Sequence, residues 1–216
     1  CGFKRPELKY AITSLDKLTI HDSEFSINYD KFKINVAGTY NIYNALAAYS
    51  LAKEFGLSNQ EIQAGFDSLE RKFGRQESFN YEGKEVILNL VKNPVGFDQI
   101  VDLVGLDTEK KTLISLLNDN YADGKDVSWI WDGNYEKLAT YDFSKVYVGG
   151  KRKEELAFRL EVAGFSDITI LENFSDILNA IKQASTKRVY IFSTYTALLQ
   201  LRSDLAKENI IKGDMK

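Results

Sequence analysis

The sequence is poor in the residues that most often mark a disulfide framework, a metal centre or a nucleophilic active site. Its 216 residues include one cysteine, one histidine, one methionine and two prolines. A lone cysteine cannot form an internal disulfide, which is typical of proteins from a reducing compartment. His21 has no second histidine or cysteine near it in the sequence, so we interpret it as a surface turn residue.

The sequence also lacks an excess of basic residues and a long apolar run. A net charge of -3 gives no electrostatic footprint for nucleic acid, so we expect no nucleic-acid partner. No apolar run approaches the roughly 20 residues that cross a bilayer, and no signal-peptide pattern opens the chain. With 44% hydrophobic and 27% charged residues, we expect a globular protein of the cytoplasm.

Two hydrophobic patterns divide the chain near residue 78. Residues 8–37 contain short stretches with alternating apolar positions, typical of strands, and a helix is predicted from Tyr40 to Phe55. Beyond residue 78, apolar runs suited to buried strands alternate with helical segments. This alternation indicates an α/β domain with a Rossmann-like, mostly parallel sheet. We therefore predict two domains, residues 1–78 and residues 79–216.

The most distinctive stretch runs from Leu113 to Asp132, where a buried strand gives way to a polar loop. The loop contains Asn118, Asp119, Asn120, Asp123 and Asp126, and Trp129 and Trp131 follow within a predicted helix that runs through Trp131. Parallel α/β sheets place such loops at the carboxyl edge of the sheet, where binding sites form. Taken alone, the stretch fits either a solvated turn or a functional loop, because Asp and Asn are common in turns.

Two asparagines and one arginine are candidates for binding a nucleotide. Asn41 and Asn44 lie three residues apart and therefore share one face of the predicted helix. Their amides suit a nucleobase or ribose near the positive end of the helix, and local capping is the alternative. Arg75 follows a short polar segment that resembles a hinge, and its guanidinium suits a phosphate; a solvated linker charge is the alternative.

Cys1 begins a Cys-Gly-x-Lys motif, and no initiator methionine precedes it. Such a motif is typical of the last knuckle of a zinc ribbon, although a lone cysteine is more often an inert thiol. We expect the sequence to be the tail of a longer polypeptide.

Three segments, in this order, resemble the Mur ligases, which are ATP-dependent peptidoglycan ligases. Residues 38–44, with Asn41 and Asn44, resemble the helix that lines the adenine site of that family. Arg75 resembles the arginine between its central and C-terminal domains, and Asn93 lies in a segment that resembles its Asn-Pro motif. The resemblance implies that these four residues contribute to a site for ATP and Mg²⁺. It also implies that residues 1–78 end the central domain and that residues 79–216 form the C-terminal domain.

Residues 118–132 resemble, more specifically, the MurT family, the Mur-ligase-like subunit of lipid II isoglutaminyl synthase. The resemblance implies that ATP activates the α-carboxylate of the D-glutamate in the lipid II stem peptide, and that ammonia converts it to D-isoglutamine. It also implies a heterodimer with a GatD-type glutaminase subunit, whose Cys-His pair is completed by Asp126, with Asp123 as the alternative. That family carries a four-cysteine zinc ribbon, of which Cys1 would be the last ligand.

Two other interpretations remain open, namely an amino-acid-adding ligase of the Mur or folylpolyglutamate type and a non-catalytic docking module. An amino-acid-adding ligase needs a basic pocket for the incoming carboxylate, whereas the loop of residues 118–126 is acidic. The sequence contains no phosphate-binding Gly-Lys-Thr loop and no further ribbon cysteine. We therefore expect these residues to hold part of an ATP site and not to turn over alone.

Overall fold

A computed structural model describes residues 2–4, 6–69 and 75–212 of the protein. The chain forms two compact units, which divide between Glu70 and Arg71. This division lies ahead of residue 78, because the strand β4 (Arg75–Tyr81) pairs with the sheet of the second unit. Among the described residues, no helix combines the length and hydrophobicity that a bilayer crossing requires.

The first unit contains a three-stranded antiparallel sheet and two helices. Its strands are β1 (Ile12–Leu18), β2 (Ser23–Ile27) and β3 (Asp30–Ile34), paired in the order β1-β2-β3. Its helices are α1 (Thr39–Glu54) and α2 (Asn59–Asp67). Phe25 and Phe32 of the sheet pack with Ile42 and Tyr49 of α1 in a buried core. His21 is exposed in the turn between β1 and β2, where the sequence predicts it.

The second unit alternates strands and helices along the chain. After β4, its strands are β5 (Lys84–Leu90), β6 (Lys111–Leu116), β7 (Phe143–Gly149), β8 (Ile168–Ile170) and β9 (Arg188–Ser193). Its helices are α3 (Pro94–Val104), α4 (Tyr135–Ala139), α5 (Lys153–Val162), α6 (Phe174–Gln183) and α7 (Tyr195–Lys207). The helix expected to run through Trp131 is instead a 3₁₀ helix, Ser128–Trp131, followed by the short helix α4.

The strands of the second unit form one sheet in the order β4-β5-β9-β6-β7-β8. Strand β4 is antiparallel to β5, and the other pairings are parallel. The predicted α/β fold with a mostly parallel sheet is therefore confirmed.

Helices cover both faces of this sheet. Helices α3, α4 and α5 pack on the face that contains Leu113 and Tyr190, whereas α6 and α7 pack on the face that contains Ile114 and Ile191. Leu113 and Ile114 are adjacent in β6 but belong to opposite cores, because successive side chains of a strand point to opposite faces. Burial on both faces explains why the strand reads as a continuous apolar run.

The direction of the chain across the sheet reverses after β8. The chain moves outward from β5 through β6 and β7 to β8, and α6 then returns it to β9, which lies between β5 and β6. The loops that follow these parallel strands share the carboxyl edge of the sheet. Doubly wound sheets form their binding sites at this edge, near such a reversal.

Candidate functional site

The polar loop after β6 is held against the start of α7 by Thr196. The Oγ1 atom of Thr196 donates to Asp123 Oδ2 at 2.5 Å and accepts from the Nδ2 atoms of Asn118 and Asn120, at 3.0 and 2.7 Å. The backbone N–H of Thr196 donates to Asp123 Oδ1 at 2.7 Å, and that of Asn120 donates to Asp123 Oδ2 at 3.1 Å. Both carboxylate oxygens of Asp123 are therefore engaged within the protein.

The loop after β7 joins the same network through Lys151. Its backbone N–H donates to Asn118 Oδ1 at 2.9 Å, and its Nζ atom donates to Asn120 Oδ1. Gly150 allows the close approach of the two loops, because its φ is 91° and a Cβ atom there would lie 2.4 Å from the carbonyl oxygen of Leu117. The network thus joins the carboxyl ends of three strands, β6, β7 and β9.

Asp126 lies in the exposed part of the same loop. One of its carboxylate oxygens, Oδ1, accepts from the backbone N–H of Ser128 at 2.8 Å, at the start of the 3₁₀ helix. Hydrogen bonding to Ser128 holds the pKa of the Asp126 carboxyl below its ordinary value, so the group is ionised at neutral pH. An exposed, ionised carboxylate can accept a further hydrogen bond from a group on another molecule.

The two tryptophans that follow the loop have different environments. Trp129 is partly buried and packs against the core of the face that α3, α4 and α5 cover. Trp131 is 49% exposed, and its ring contacts Phe158 edge to face at a centroid distance of 6.0 Å. Of the two tryptophans, Trp131 is therefore the more exposed, and Tyr121 within the loop is exposed as well.

A cavity of about 320 Å³ opens beside the network, at the carboxyl ends of β6, β7 and β8. Leu171, Phe174 and Leu201 contribute apolar walls, while Asn118 and Lys151 form part of the polar lining. Its volume and mixed lining are those of a small-molecule site. The network around Thr196 therefore also shapes one wall of a cavity of ligand size.

Asn41 and Asn44 are brought together in the first turns of α1. The Nδ2 atom of Asn44 donates to Asn41 Oδ1 at 3.4 Å, and Asn41 Nδ2 donates to the carbonyl oxygen of Ala37 at 2.7 Å. Asn41 is partly buried and Asn44 is exposed. The Asn41 amide thus bonds to the backbone just ahead of the helix and to the side chain of Asn44. A role of either residue in nucleotide binding stays a prediction.

Asn93 and Arg75 belong to the second unit. Asn93 is the N-cap of α3, and its Oδ1 atom accepts from the backbone N–H of Gly96 at 2.7 Å. Arg75 opens β4, and its backbone lies opposite Asn89 of β5. The side chain of Arg75 lies outside the described part of the structure. Both positions lie toward the carboxyl edge of the sheet, the edge that carries Asp123 and Asp126.

The predicted zinc ligand, Cys1, lies outside the described residues. Within residues 2–4, 6–69 and 75–212, no group of three or more His, Cys, Asp or Glu side chains is arranged to hold a metal ion.

Two sets of contacts in the candidate site are not evident from the sequence, those of Thr196 and those of Lys151. Thr196 lies three residues beyond the end of β9, and Lys151 lies two residues beyond the end of β7. The position of each at the end of a parallel strand is a usable signal. The sequence does not reveal that β9 inserts beside β6, and this insertion brings Thr196 to the acidic loop.

Comparison with known proteins identifies close relatives over the whole chain. Residues 90–198 match the family model described as MurT ligase C-terminal. The chain is 43% identical to the lipid II isoglutaminyl synthase (glutamine-hydrolyzing) subunit MurT of Streptococcus pneumoniae, over 100% of this chain and 48% of that protein. It is 39% identical to the corresponding subunit of Staphylococcus aureus, over 95% of this chain and 46% of that protein. The chain thus spans about half the length of these curated relatives.

Solved structures of other ligases have the same fold. The UDP-N-acetylmuramate-alanine ligase MurC of Thermotoga maritima superposes with a TM-score of 0.70 at 14% identity, covering 93% of this chain and 45% of that one. A Mycobacterium tuberculosis folylpolyglutamate synthase, complexed with ADP and AMPPCP, superposes with a TM-score of 0.67 at 16% identity, covering 96% and 49%. These two structures support the fold, and the family match goes further: the chain belongs to the MurT ligase C-terminal family.

Proposed function

We propose that the chain is the C-terminal part of the ligase subunit of a lipid II isoglutaminyl synthase. In this proposal, the complete subunit activates the α-carboxylate of the D-glutamate in the lipid II stem peptide, and ammonia from a GatD-type glutaminase subunit converts it to D-isoglutamine. The identities of 43% and 39% to MurT subunits support this assignment. Because the substrate is a lipid-linked precursor and the reaction uses ATP, we place the reaction in the cytoplasm at the membrane surface.

The observation that carries the proposal is the exposed and ionised carboxylate of Asp126. A Cys-His pair that hydrolyses glutamine needs an acceptor that orients the imidazole and stabilises its protonated form. This chain has a single cysteine and a single histidine, in positions 1 and 21 of the sequence. We therefore assign the nucleophile and the base to the glutaminase subunit, and the acceptor to Asp126 of this chain.

The hydrogen bonds within the loop favour Asp126 over Asp123 for this role. Asp123 accepts three hydrogen bonds from Thr196 and Asn120. Asp126 accepts from Ser128 alone among the described residues, and its side chain is exposed. An imidazole of a partner subunit can therefore reach Asp126 without displacing a bond that holds the loop.

Four further residues are proposed to contribute to nucleotide binding. Asn41 and Asn44 are assigned to the adenosine and Arg75 to the phosphates. Asn93 is assigned to the Asn-Pro motif that opens the C-terminal domain. ATP, when bound, supplies the phosphoryl group that activates the carboxylate, and Mg²⁺ accompanies it.

The division between residues 70 and 71 supports an assignment of the first unit to the end of the central domain and the second to the C-terminal domain. Cys1 is proposed as the last ligand of a zinc ribbon.

An amino-acid-adding ligase is the second candidate, and the structural likeness to MurC and to folylpolyglutamate synthase motivates it. That likeness supports the fold alone, at 14% and 16% identity. The loop after β6 presents carboxylates, whereas an incoming amino-acid carboxylate calls for cationic groups. A non-catalytic docking module is the third candidate. It predicts that substitution of Asn41, Asn44 and Arg75 leaves the ATP turnover of the full-length protein unchanged.

The test of the proposal is glutamine hydrolysis by the glutaminase subunit in complex with the full-length ligase subunit that carries Asp126→Asn. We expect the complex to form in a pull-down and kcat to fall by about 10³- to 10⁴-fold, as for the loss of the orienting carboxylate in a catalytic triad. Asp142→Asn is the matched control, because Asp142 is an exposed carboxylate ahead of β7, at the opposite edge of the sheet. Unchanged hydrolysis by the Asp126→Asn complex would refute the shared site.

A further inference from the structure

Asp126 is carried on a short span of chain between two anchored points of the second unit. On one side lies Asp123, which is bonded to Thr196 at the start of α7. On the other side lies the 3₁₀ helix that begins at Ser128. Between them, Gly124 has a φ of 90° and no heavy atom within 4 Å of an added Cβ position. The span itself is thus exposed and open, and its geometry depends on the two anchors.

The first anchor is the hydrogen-bond network around the Asp123 carboxylate. The backbone N–H of Thr196 donates to one carboxylate oxygen at 2.7 Å, and its hydroxyl donates to the other at 2.5 Å. The same hydroxyl accepts from the amides of Asn118 and Asn120. Hydrogen bonds to an ionised group are the stronger ones in proteins. Thr196 therefore fixes the position and the orientation of the loop end that precedes Asp126.

The second anchor is the guanidinium of Arg159, which is 3% exposed. Its Nε atom donates to the carbonyl oxygen of Ile130 at 3.0 Å and its Nη2 atom to that of Gly133 at 3.1 Å. Two further bonds of 2.8 and 2.9 Å join it to the carboxylate oxygens of Glu136. The guanidinium also lies 5.3 Å from the ring centroid of Trp131. Helix α5 thus holds the 3₁₀ helix that follows Asp126.

We infer that Thr196 and Arg159 are positioning residues that fix the Asp126 carboxylate for the imidazole of the glutaminase subunit. The inference rests on the proposed function and extends it, because it assigns Asp123 to the first anchor and leaves Asp126 as the group that touches the partner. A carboxylate orients an imidazole only when the acceptor oxygen lies within hydrogen-bond reach of the N–H group. A displacement of about 1 Å at such a site costs about 100-fold in rate.

The test is a double-mutant cycle between position 196 and position 126 in the full-length ligase subunit, assayed as glutamine hydrolysis by the complex. Thr196→Val keeps the shape of the side chain and removes the hydroxyl, whereas Thr196→Ser keeps the hydroxyl. We expect Thr196→Val to lower kcat about 10- to 100-fold with an unchanged KM for glutamine, and Thr196→Ser to restore most of the activity. In the Asp126→Asn background, Thr196→Val should have little further effect, because two residues that act through one group are not additive.

A second variant, one control variant and two further measurements distinguish a positioning effect from a loss of folding. Arg159→Lys retains the charge and removes the forked geometry, and it should lower kcat in the same non-additive way. Thr108→Val is the matched control, since Thr108 is exposed ahead of β6 at the opposite edge of the sheet. Thermal unfolding and a pull-down establish that each variant is folded and bound to the glutaminase subunit.

The outcomes separate the inference from the proposal beneath it. If Asp126→Asn impairs hydrolysis and Thr196→Val causes the same loss in both backgrounds, or none, the positioning role is wrong while the shared site stands. If Asp126→Asn has no effect, the shared site is wrong and the positioning role falls with it. If Thr196→Val lowers kcat in the protein that retains Asp126 but not in the Asp126→Asn variant, and Thr196→Ser restores kcat, both the shared site and the positioning role are supported.

Discussion

Asp123 and Asp126 lie in one loop, yet their carboxylates differ in hydrogen bonding and in exposure. Both carboxylate oxygens of Asp123 accept hydrogen bonds from Thr196 and Asn120, and these bonds hold the loop against α7. Asp126 accepts one backbone hydrogen bond, from Ser128, and remains exposed. The loop therefore contains one carboxylate that maintains the structure and one that is available to a partner.

The comparison shows that two residues of one type in one loop can differ in hydrogen-bond partners and in exposure. A carboxylate that already accepts three internal hydrogen bonds has little capacity left for another molecule, and each internal bond that it gives up costs about 1 kcal/mol or more. An exposed carboxylate can accept a hydrogen bond from another molecule without breaking an internal one. Three predictions test whether this division of roles is correct.

The largest effect on stability is expected for the pair of variants Asp123→Ala and Asp126→Ala. Asp123→Ala leaves the N–H groups of Thr196 and Asn120 without their acceptor and should lower the free energy of unfolding by about 1 to 2 kcal/mol. Asp126→Ala removes an exposed group that accepts a hydrogen bond from Ser128 and should lower the free energy of unfolding by much less. Urea unfolding of the ligase subunit provides the measurement. Equal losses of stability for both variants would contradict the division of roles.

A smaller effect is expected from Ser128→Ala, which keeps the backbone N–H and removes the hydroxyl. Because bonding to Ser128 lowers the pKa of the Asp126 carboxyl, this substitution should raise that pKa toward its ordinary value. A group with a depressed pKa stabilises the folded state above its ordinary pKa and loses that contribution as the pH falls. Ser128→Ala should therefore move the loss to higher pH. An NMR titration of the carboxyl carbon tests this, and an unmoved titration would show that the hydroxyl plays no part.

Much of the fold follows from the sequence because its physical signals are local. The apolar run at Leu113 and Ile114 predicts a strand buried on both faces, and the repeated alternation of strands and helices predicts the parallel sheet. The sequence predicts an ordinary helix through Trp131, whereas the structure has a 3₁₀ helix at Ser128–Trp131. Arg159 of α5 donates hydrogen bonds to the carbonyl oxygen of Ile130 in this helix and to that of Gly133 just after it. These tertiary contacts cannot be predicted from the local sequence.

The candidate site is less accessible to sequence reasoning, since it depends on strand order. The loop itself is visible as a cluster of Asp and Asn residues, and its place at the carboxyl edge follows from the fold class. The sequence does not distinguish Asp123 from Asp126, because both are acids in a turn-like stretch. Their environments differ in the structure through Thr196, which reaches the loop only because β9 returns to lie beside β6.

The most direct measurement is the pKa of the histidine in the Cys-His pair of the proposed glutaminase partner, within the complex. It is obtained from the pH dependence of alkylation of that subunit's cysteine, with the unmodified ligase subunit and with Asp126→Asn and Asp123→Asn. A carboxylate that accepts from the imidazole stabilises its charged form, so Asp126→Asn should lower the histidine pKa by about 1 to 3 units, and Asp123→Asn should lower it much less. An unchanged pKa with Asp126→Asn, or a larger shift with Asp123→Asn, would contradict the assignment of Asp126.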